Sequence, residues 1–143
     1  MHYSIDVDIA APPSLVWRVL SDGVRWPEWT PTVTSVELLD LPPLRLGLRA
    51  RIRQPKLPPT VWTVTELVEG QRFVWTSKSP GATVIADHSV TAVGSGSRVT
   101  LSVRFEGWWG KLIGRLTRNL NNRYLALEAA GLKKRCEEQP RDL

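Results

Sequence analysis

The chain is poor in the residue types that most often carry chemistry. Its 143 residues include one cysteine, Cys136, two histidines and one methionine. A single cysteine excludes an internal disulfide and a zinc site built from several cysteines. No stretch approaches the ~20 apolar residues of a membrane span. The first residues, MHYSIDVDIAAPP, lack the basic segment and long apolar run of a signal peptide. We therefore expect a cytoplasmic protein.

Tryptophan is the exception, because seven occur in a chain of the size of one domain. We expect residues 1–143 to form a single domain. The segment VRWPEWTP places Trp26 and Trp29 three residues apart in a stretch broken by proline. Tryptophan is often found where an apolar wall meets water or a ligand. Trp26 and Trp29 are therefore candidates either for plain core or for the wall of a binding site.

The net charge of +5 raises the possibility of an anionic partner such as RNA or a membrane surface. Basic residues gather mainly within 45–56 and 111–135. In the segment RLGLRARIR, however, the arginines alternate with Leu46, Leu48, Ala50 and Ile52, which we expect to face inward. This alternation is typical of a solvated sheet face, and no stacking aromatic residues lie among the charges.

Alternation with a period of two predicts seven strands joined mostly by short turns rich in glycine and proline. Such connections favour an antiparallel, curved sheet. Between the first two strands, APPSLVWRVLSD predicts a helix, and the residues around Trp26 predict a second short helix or turn. The seven predicted strands are HYSIDVDIA, TVTSVELLD, RLGLRARIR, TVWTVTELV, RFVWTSK, ATVIADHSVTAV and SRVTLSVRFEG.

The period changes after Trp108, where apolar residues recur at spacings of three and four. This pattern predicts one amphipathic helix from about residue 109 to about Glu138, roughly 45 Å long. One helix cannot fill the concavity of a seven-stranded sheet, so side chains, water or a ligand must occupy the rest. The predicted inner stripe of this helix includes Leu116, Leu120, Tyr124 and Leu127.

The segments IAAPPSLVWRVLSDGVRWPEWTP, VWTVTELVEGQRFVWTS and GSGSRVTLSVRFEG, with the terminal helix, carry a family resemblance. The chain resembles the START/birch-pollen-allergen superfamily, also called SRPBCC. Within it, the chain is similar to small bacterial polyketide cyclase/dehydratase-like and lipid-transport-like proteins. The resemblance implies the helix-grip fold, an α+β architecture in which a seven-stranded antiparallel sheet grips the C-terminal helix and two short helices follow strand 1. It also implies an apolar cavity between the sheet and that helix.

Three residues are candidates for acid–base chemistry. His88 shares its strand face with Val84, Ala86 and Val90, so it is expected to face inward, either as a hydrogen-bonded core histidine or as a proton carrier. Glu66 shares parity with Trp62 and faces the cavity or makes a surface salt bridge. Tyr124 is the third candidate. No catalytic triad, metal-ligand spacing or phosphate-binding loop is visible, so no cofactor or metal is expected.

Binding of a small hydrophobic or amphipathic molecule, such as a lipid, polyketide or aromatic compound, is the first functional hypothesis. A polyketide cyclase or dehydratase on the same fold is the alternative, and a basic surface for RNA or an anionic membrane is third. A monomer and a homodimer both remain open. We expect a pocket of at least a few hundred Å³. The candidate ligand-binding residues are Trp26, Trp29, Trp62, Phe73, Trp75, His88, Val90, Leu101, Val103, Leu116, Asn119, Leu120, Arg123 and Tyr124.

Overall fold

A computed structural model describes residues 1–138, and residues 139–143 lie outside it. Seven antiparallel strands form one sheet in the order β1-β7-β6-β5-β4-β3-β2. A 3-10 helix, Gly23–Glu28, follows the first α-helix. The strands are β1 (His2–Ile9), β2 (Ser35–Leu38), β3 (Arg49–Arg53), β4 (Thr60–Val68), β5 (Arg72–Ser79), β6 (Ala82–Val93) and β7 (Gly96–Glu106), and the α-helices are α1 (Pro13–Ser21), α2 (Trp108–Leu116) and α3 (Arg118–Glu138). The predicted helix-grip architecture is confirmed.

The basic strand β3 follows the predicted alternation. Ala50 and Ile52 are buried, while Arg49 and Arg53 are exposed. The prediction that Leu46 also faces inward is wrong, because β3 begins only at Arg49 and the Leu46 side chain is exposed in the preceding loop.

Strand parity predicts that Glu66 could face the interior, but a β-bulge in β4 turns its side chain to the outer face. The register between β4 and β5 shifts between Val64 and Glu66, so one extra residue enters the strand. Val64 remains buried, but Glu66 now points to the outer face and Leu67 packs against the core. Glu66 forms an exposed ion pair with Arg72 at 3.4 Å. The salt-bridge alternative is thus the observed one.

The C-terminal helix is not continuous, and the prediction of one helix from residue 109 to about Glu138 is wrong. It breaks at Thr117, whose φ of −103° and ψ of 21° depart from helical values. The Thr117 hydroxyl donates a hydrogen bond to the Ile113 carbonyl at 2.7 Å. The break turns α2 onto β6 and β7, whereas α3 packs against β1, β7 and α1. Leu116 therefore leaves the predicted inner stripe and becomes 74% exposed.

The buried face of α3 consists of Leu125, Ala129, Leu132 and Cys136. This face is shifted by one position from the predicted stripe through Leu120, Tyr124 and Leu127, all of which are half-buried. With α1, the α3 face closes the interior over the β1 and β7 side of the sheet. On the other side of the sheet, the 3-10 helix and the loop before β3 cover strands β2 to β5 instead.

Candidate functional site

A cavity of about 420 Å³ lies between the end of α1, the 3-10 helix and the β2–β5 side of the sheet. The loop between β2 and β3, which contains Pro42 and Pro43, forms another wall. The lining residues are Ser21, Asp22, Gly23, Val24, Trp26, Val36, Leu38, Pro42, Pro43, Leu44, Leu48, Glu69, Phe73 and Trp75. Most of these side chains are apolar, as in sites that take small hydrophobic molecules.

An aromatic cluster forms the inner wall. The Trp26 ring lies edge-on to Trp75, with ring centroids 5.1 Å apart, and Phe73 lies edge-on to Trp75 at 5.5 Å. All three side chains are largely buried, at 7%, 1% and 5% exposure for Trp26, Phe73 and Trp75. These edge-to-face contacts hold the rings in defined orientations. These three rings form the aromatic floor of the cavity.

The local sequence positions Trp26 in this cluster. The 3-10 helix that follows α1 begins at Gly23 and contains Pro27, so the chain turns tightly under the sheet. The indole Nε1 of Trp26 donates a hydrogen bond to the Leu20 carbonyl at 3.0 Å, which satisfies its polar group while the ring remains buried. The two alternatives for Trp26 therefore coincide, because it belongs to the core and lines the cavity.

Trp29 has a different position. Its ring is 6.0 Å from that of Trp26, and its backbone packs against Gly131 of α3. Trp29 is absent from the cavity lining. Its Nε1 is buried and has no hydrogen-bond partner among the described residues.

His88 lies directly behind the aromatic cluster, and its predicted inward orientation is confirmed. It stacks on Phe73 with a centroid distance of 4.2 Å and an interplanar angle of 9°. Its Nδ1 is 3.3 Å from the Phe73 carbonyl, which can only accept, so this geometry places the proton on Nδ1. Burial lowers the pKa of His88 to about 4, so the ring is neutral at pH 7. His88 does not reach the cavity lining.

The polar groups of the cavity are few. Ser21, Asp22 and Glu69 contribute them. Glu69 accepts a hydrogen bond from the indole Nε1 of Trp17 at 3.1 Å, which fixes its carboxylate. Asp22 forms an exposed ion pair with Arg25 at 3.4 Å. The cavity therefore combines an aromatic floor with acceptor groups that approach solvent.

None of the other predicted ligand-binding residues lines the cavity. Trp62 is half-buried with its ring 5.9 Å from that of Trp75. Tyr124 is half-buried, and its hydroxyl donates a hydrogen bond to the Pro55 carbonyl in the β3–β4 loop. Val90 and Leu101 are buried in the sheet, Val103 and Leu120 are half-buried, and Leu116, Asn119 and Arg123 are exposed.

Sequence reasoning missed Glu128 of α3. Its carboxyl group accepts a hydrogen bond from the Thr32 hydroxyl at 3.0 Å, and Thr32 in turn contacts the Thr30 hydroxyl at 2.9 Å. Burial raises the pKa of Glu128 to about 7, although the Thr32 hydrogen bond opposes the shift. The only sequence signal is the spacing of four residues between Glu128 and the buried Leu132. Within residues 1–138, no three His, Cys, Asp or Glu side chains cluster as a metal site would require.

The sheet and the C-terminal helices together define a helix-grip protein with an apolar cavity. The sequence matches the family "Polyketide cyclase / dehydrase and lipid transport" over residues 1–137. The chain therefore belongs to this family, as its resemblance to SRPBCC proteins implies. No match was found among curated proteins. None of the helices within residues 1–138 is long and apolar enough to cross a membrane.

Solved structures show the same fold at low sequence identity. The protein TTHA0849 from Thermus thermophilus superimposes with a TM-score of 0.75 at 21% identity, covering 95% of this chain and 97% of that chain. The Zhui aromatase/cyclase from Streptomyces sp. R1128 gives a TM-score of 0.70 at 16% identity, with 94% of each chain covered. Ara h 8.0201 gives 0.66 at 12% identity, with 92% and 97% covered. At these identities the similarity establishes the fold alone.

Proposed function

We propose that the protein binds a small hydrophobic or amphipathic molecule, of lipid, polyketide or aromatic type, in the cavity between the 3-10 helix and strands β2–β5. The observation that carries the proposal is the cavity itself, whose volume of about 420 Å³ is enclosed mainly by apolar residues. Ligand sites in proteins usually measure ~300–1,000 Å³ and have few polar groups. The family description, which includes cyclisation, dehydration and lipid transport, supports the same class of ligand.

The arrangement of the lining favours a particular ligand polarity. Trp26, Phe73 and Trp75 offer the apolar end of a ligand three ring surfaces. Asp22 and Glu69 offer oxygen acceptors. A ligand with an apolar body and a polar end that donates hydrogen bonds matches both regions, because carboxylates only accept.

A cyclase or dehydratase is the second candidate. Such chemistry needs an acid or base placed against a carbonyl compound. Glu69 is the observation that favours it, since this carboxylate lines the cavity and is held by the Trp17 indole. His88, Glu66 and Tyr124 support it less, because none of them belongs to the cavity lining. A basic surface between Arg45 and Lys56 is less favoured still, since Arg49 pairs with Asp40 and Arg51 with Glu37.

The test compares two substitutions of the same kind on two sides of the molecule. Leu38, on β2, lines the cavity, whereas Leu120, on α3, does not, and both are half-buried. Leu38→Trp adds an indole to the space that a ligand needs, so we expect binding of the uncharged apolar fluorescent probe N-phenyl-1-naphthylamine to weaken at least ~10-fold. Leu120→Trp should leave the titration unchanged.

The opposite result would place the ligand against α3, as the sequence alone predicted. Unchanged binding in both variants would remove the support for an internal site. Native mass spectrometry of the purified protein, which detects a co-purified small molecule by its mass, then identifies the class of ligand. For the enzymatic candidate, Glu69→Gln should abolish turnover of a poly-β-keto substrate while leaving probe binding in place.

A further inference from the structure

Helix α2 packs on the sheet through glycine. A methyl group added at Gly114 would lie 2.7 Å from the ring of Phe105, and one added at Gly110 would lie 3.3 Å from the backbone of Ala82. Both glycines are buried, and the Gly114 carbonyl accepts a hydrogen bond from the Tyr3 hydroxyl at 2.8 Å. Helix α2 therefore turns towards the sheet the face that carries its smallest residues.

Four of the five large apolar side chains of α2 are exposed, and only Ile113 packs against the core. Trp108 and Leu116 are 77% and 74% exposed, and Trp109 and Leu112 are each 42% exposed. Trp108, Leu112 and Leu116 are spaced by four residues, so they form one stripe along the helix. An ordinary surface helix buries such a stripe. Here the stripe is left without a partner in residues 1–138, and contiguous exposed apolar surface of this kind marks an interaction site.

Positive charge lies beside the stripe. Lys111, Arg115 and Arg118 are exposed on α2 and at the start of α3. The sequence contains no acidic residue between Glu106 and Glu128. Arg115 is adjacent in the helix to Leu116 and lies about two turns after Trp108, so basic and apolar side chains share one boundary.

We propose that α2 is an interfacial anchor that holds the protein on a bilayer containing anionic lipids. Tryptophan rings are favourable at the boundary between headgroups and acyl chains, and leucine side chains enter the acyl region. Lysine and arginine beside them attract anionic headgroups. The three features coincide on the nine residues of α2, Trp108–Leu116, and the first turn of α3.

A second copy of the chain fits this surface less well. A helix of nine residues is about 14 Å long, which is too short to supply the ~800 Å² per partner of a stable interface. A twofold contact would also bring Lys111, Arg115 and Arg118 of both copies together without acidic residues to offset them. RNA matches the charges and the tryptophans, but it would leave Leu112 and Leu116 without an apolar partner.

This surface is separate from the proposed binding site. Strand β5 runs from Arg72 to Ser79; Glu69, which lines the cavity, lies just before its start. Gly81, which contacts Trp108, lies just after its end. The anchor and the cavity therefore lie towards opposite ends of β5, and failure of either proposal leaves the other intact.

Flotation with vesicles tests the anchor. Wild-type protein should float with vesicles of equimolar phosphatidylcholine and phosphatidylglycerol and remain behind with phosphatidylcholine alone. Lys111→Gln with Arg115→Gln should weaken binding to the anionic vesicles roughly 30-fold, since each basic residue near the surface contributes. Trp108→Gln with Leu116→Gln should weaken it at least ~10-fold. Both side chains of this second pair are mostly exposed, so its thermal unfolding should match that of the wild type.

A matched control separates the effect of the α2 surface on vesicle binding from the effect of net charge. Arg53→Gln with Lys56→Gln removes the same two charges from another exposed segment, and Leu57→Gln removes an exposed leucine there. These variants should bind anionic vesicles like the wild type, apart from a small common effect of net charge. Equal losses in both charge variants, or no vesicle binding at all, would overturn the proposal. A dimer that Trp108→Gln with Leu116→Gln dissociates in sedimentation, or RNA binding that it abolishes without vesicle binding, would overturn it in favour of those partners.

Discussion

The two sides of the sheet differ in what covers them. Over β1 and β7, helix α3 inserts Leu125, Ala129 and Leu132 into a closed interior. Over β2–β5, a 3-10 helix and a proline-containing loop provide the cover, and a cavity of about 420 Å³ remains. A long helix presents a regular row of side chains that fills a concave surface, whereas short and irregular segments leave gaps. Both sides contribute to the core, but the cavity with an aromatic floor lies on the side that α3 does not cover.

Leucine-to-alanine substitutions on the two sides measure this difference and give the largest expected effect. Leu132 is fully buried on α3, and Leu48 is 2% exposed on the cavity wall. Such substitutions cost ~2–5 kcal/mol, with the upper values where neighbours cannot collapse into the space. We expect Leu132→Ala to lower the free energy of unfolding by about 4–5 kcal/mol and Leu48→Ala by about 2 kcal/mol.

Urea melts of both variants give these values. Equal losses in the two variants would mean that the cavity side is as densely packed as the α3 side. Only Leu48→Ala should also alter binding of the fluorescent probe.

Glu128 on α3, whose carboxyl group is bound to Thr32, makes the free energy of unfolding depend on pH. Its pKa is about 7 in the folded protein and 4.5 as its ordinary value, so the unfolded state releases its proton first as pH rises. Stability from this group is complete below about pH 4.5 and is lost as pH rises through 7, by up to about 3 kcal/mol. Denaturant melts at pH 5 and pH 8 should show this loss relative to Glu128→Gln. A constant difference between the two proteins across that range would contradict the raised pKa.

His88, behind the cavity, makes stability depend on pH in the opposite direction, because its pKa is lowered in the folded protein. Its pKa falls from an ordinary 6.5 to about 4 on burial, so the unfolded state binds the proton first as pH falls. Stability from the neutral ring is complete above about pH 6.5 and is lost towards pH 4, by up to about 3 kcal/mol. His88→Phe keeps a ring on Phe73 and removes the titration. The wild type should therefore lose stability relative to this variant between pH 6.5 and 4, and parallel curves would show that His88 does not carry the effect.

The smallest expected effect concerns Glu66. Its ion pair with Arg72 is exposed on the outer face, and pairs of this kind contribute ~0–1 kcal/mol. Glu66→Gln should change the free energy of unfolding by less than about 0.5 kcal/mol and leave probe affinity unaltered. A marked loss of probe binding would return Glu66 to the cavity side and argue against the bulge in β4.

Much of the fold was predictable from the sequence because it depends on local patterns. Alternation of apolar and polar residues located all seven strands, and the inward orientation of His88 followed from strand parity. Three features did not follow from pattern: the orientation of Glu66, the break at Thr117 and the rotation of α3. One extra residue in β4 turns the Glu66 side chain to the other face of the sheet, and nothing in TVWTVTELV marks where a bulge falls. The break at Thr117 falls within a sequence that keeps its helical period, so no change of pattern marks it.

The site was less predictable than the fold. Trp26, Phe73 and Trp75 were among the expected ligand-binding residues and line the cavity. The predicted α3 residues lie outside this cavity because the rotation and direction of a helix over a sheet depend on long-range packing. The contribution of Val36, Leu38 and Leu48 was missed for the same reason, since these residues read as ordinary strand core. The burial of Glu128 was not predicted, because one carboxyl group in a helix gives no local sign that a distant threonine will donate a hydrogen bond to it.

The seven tryptophans provide the most direct test of where the ligand binds. Each indole N–H gives its own signal in a two-dimensional proton–nitrogen NMR spectrum, and the rings are distributed over both sides of the molecule. On titration with the uncharged probe N-phenyl-1-naphthylamine, the signals of Trp26 and Trp75 should shift most, because these rings line the cavity. The signals of the exposed Trp108 and Trp109 should not shift over the same range of probe concentration. Shifts confined to Trp108 and Trp109, or to Trp29 against α3, would contradict a binding site on the β2–β5 side of the sheet.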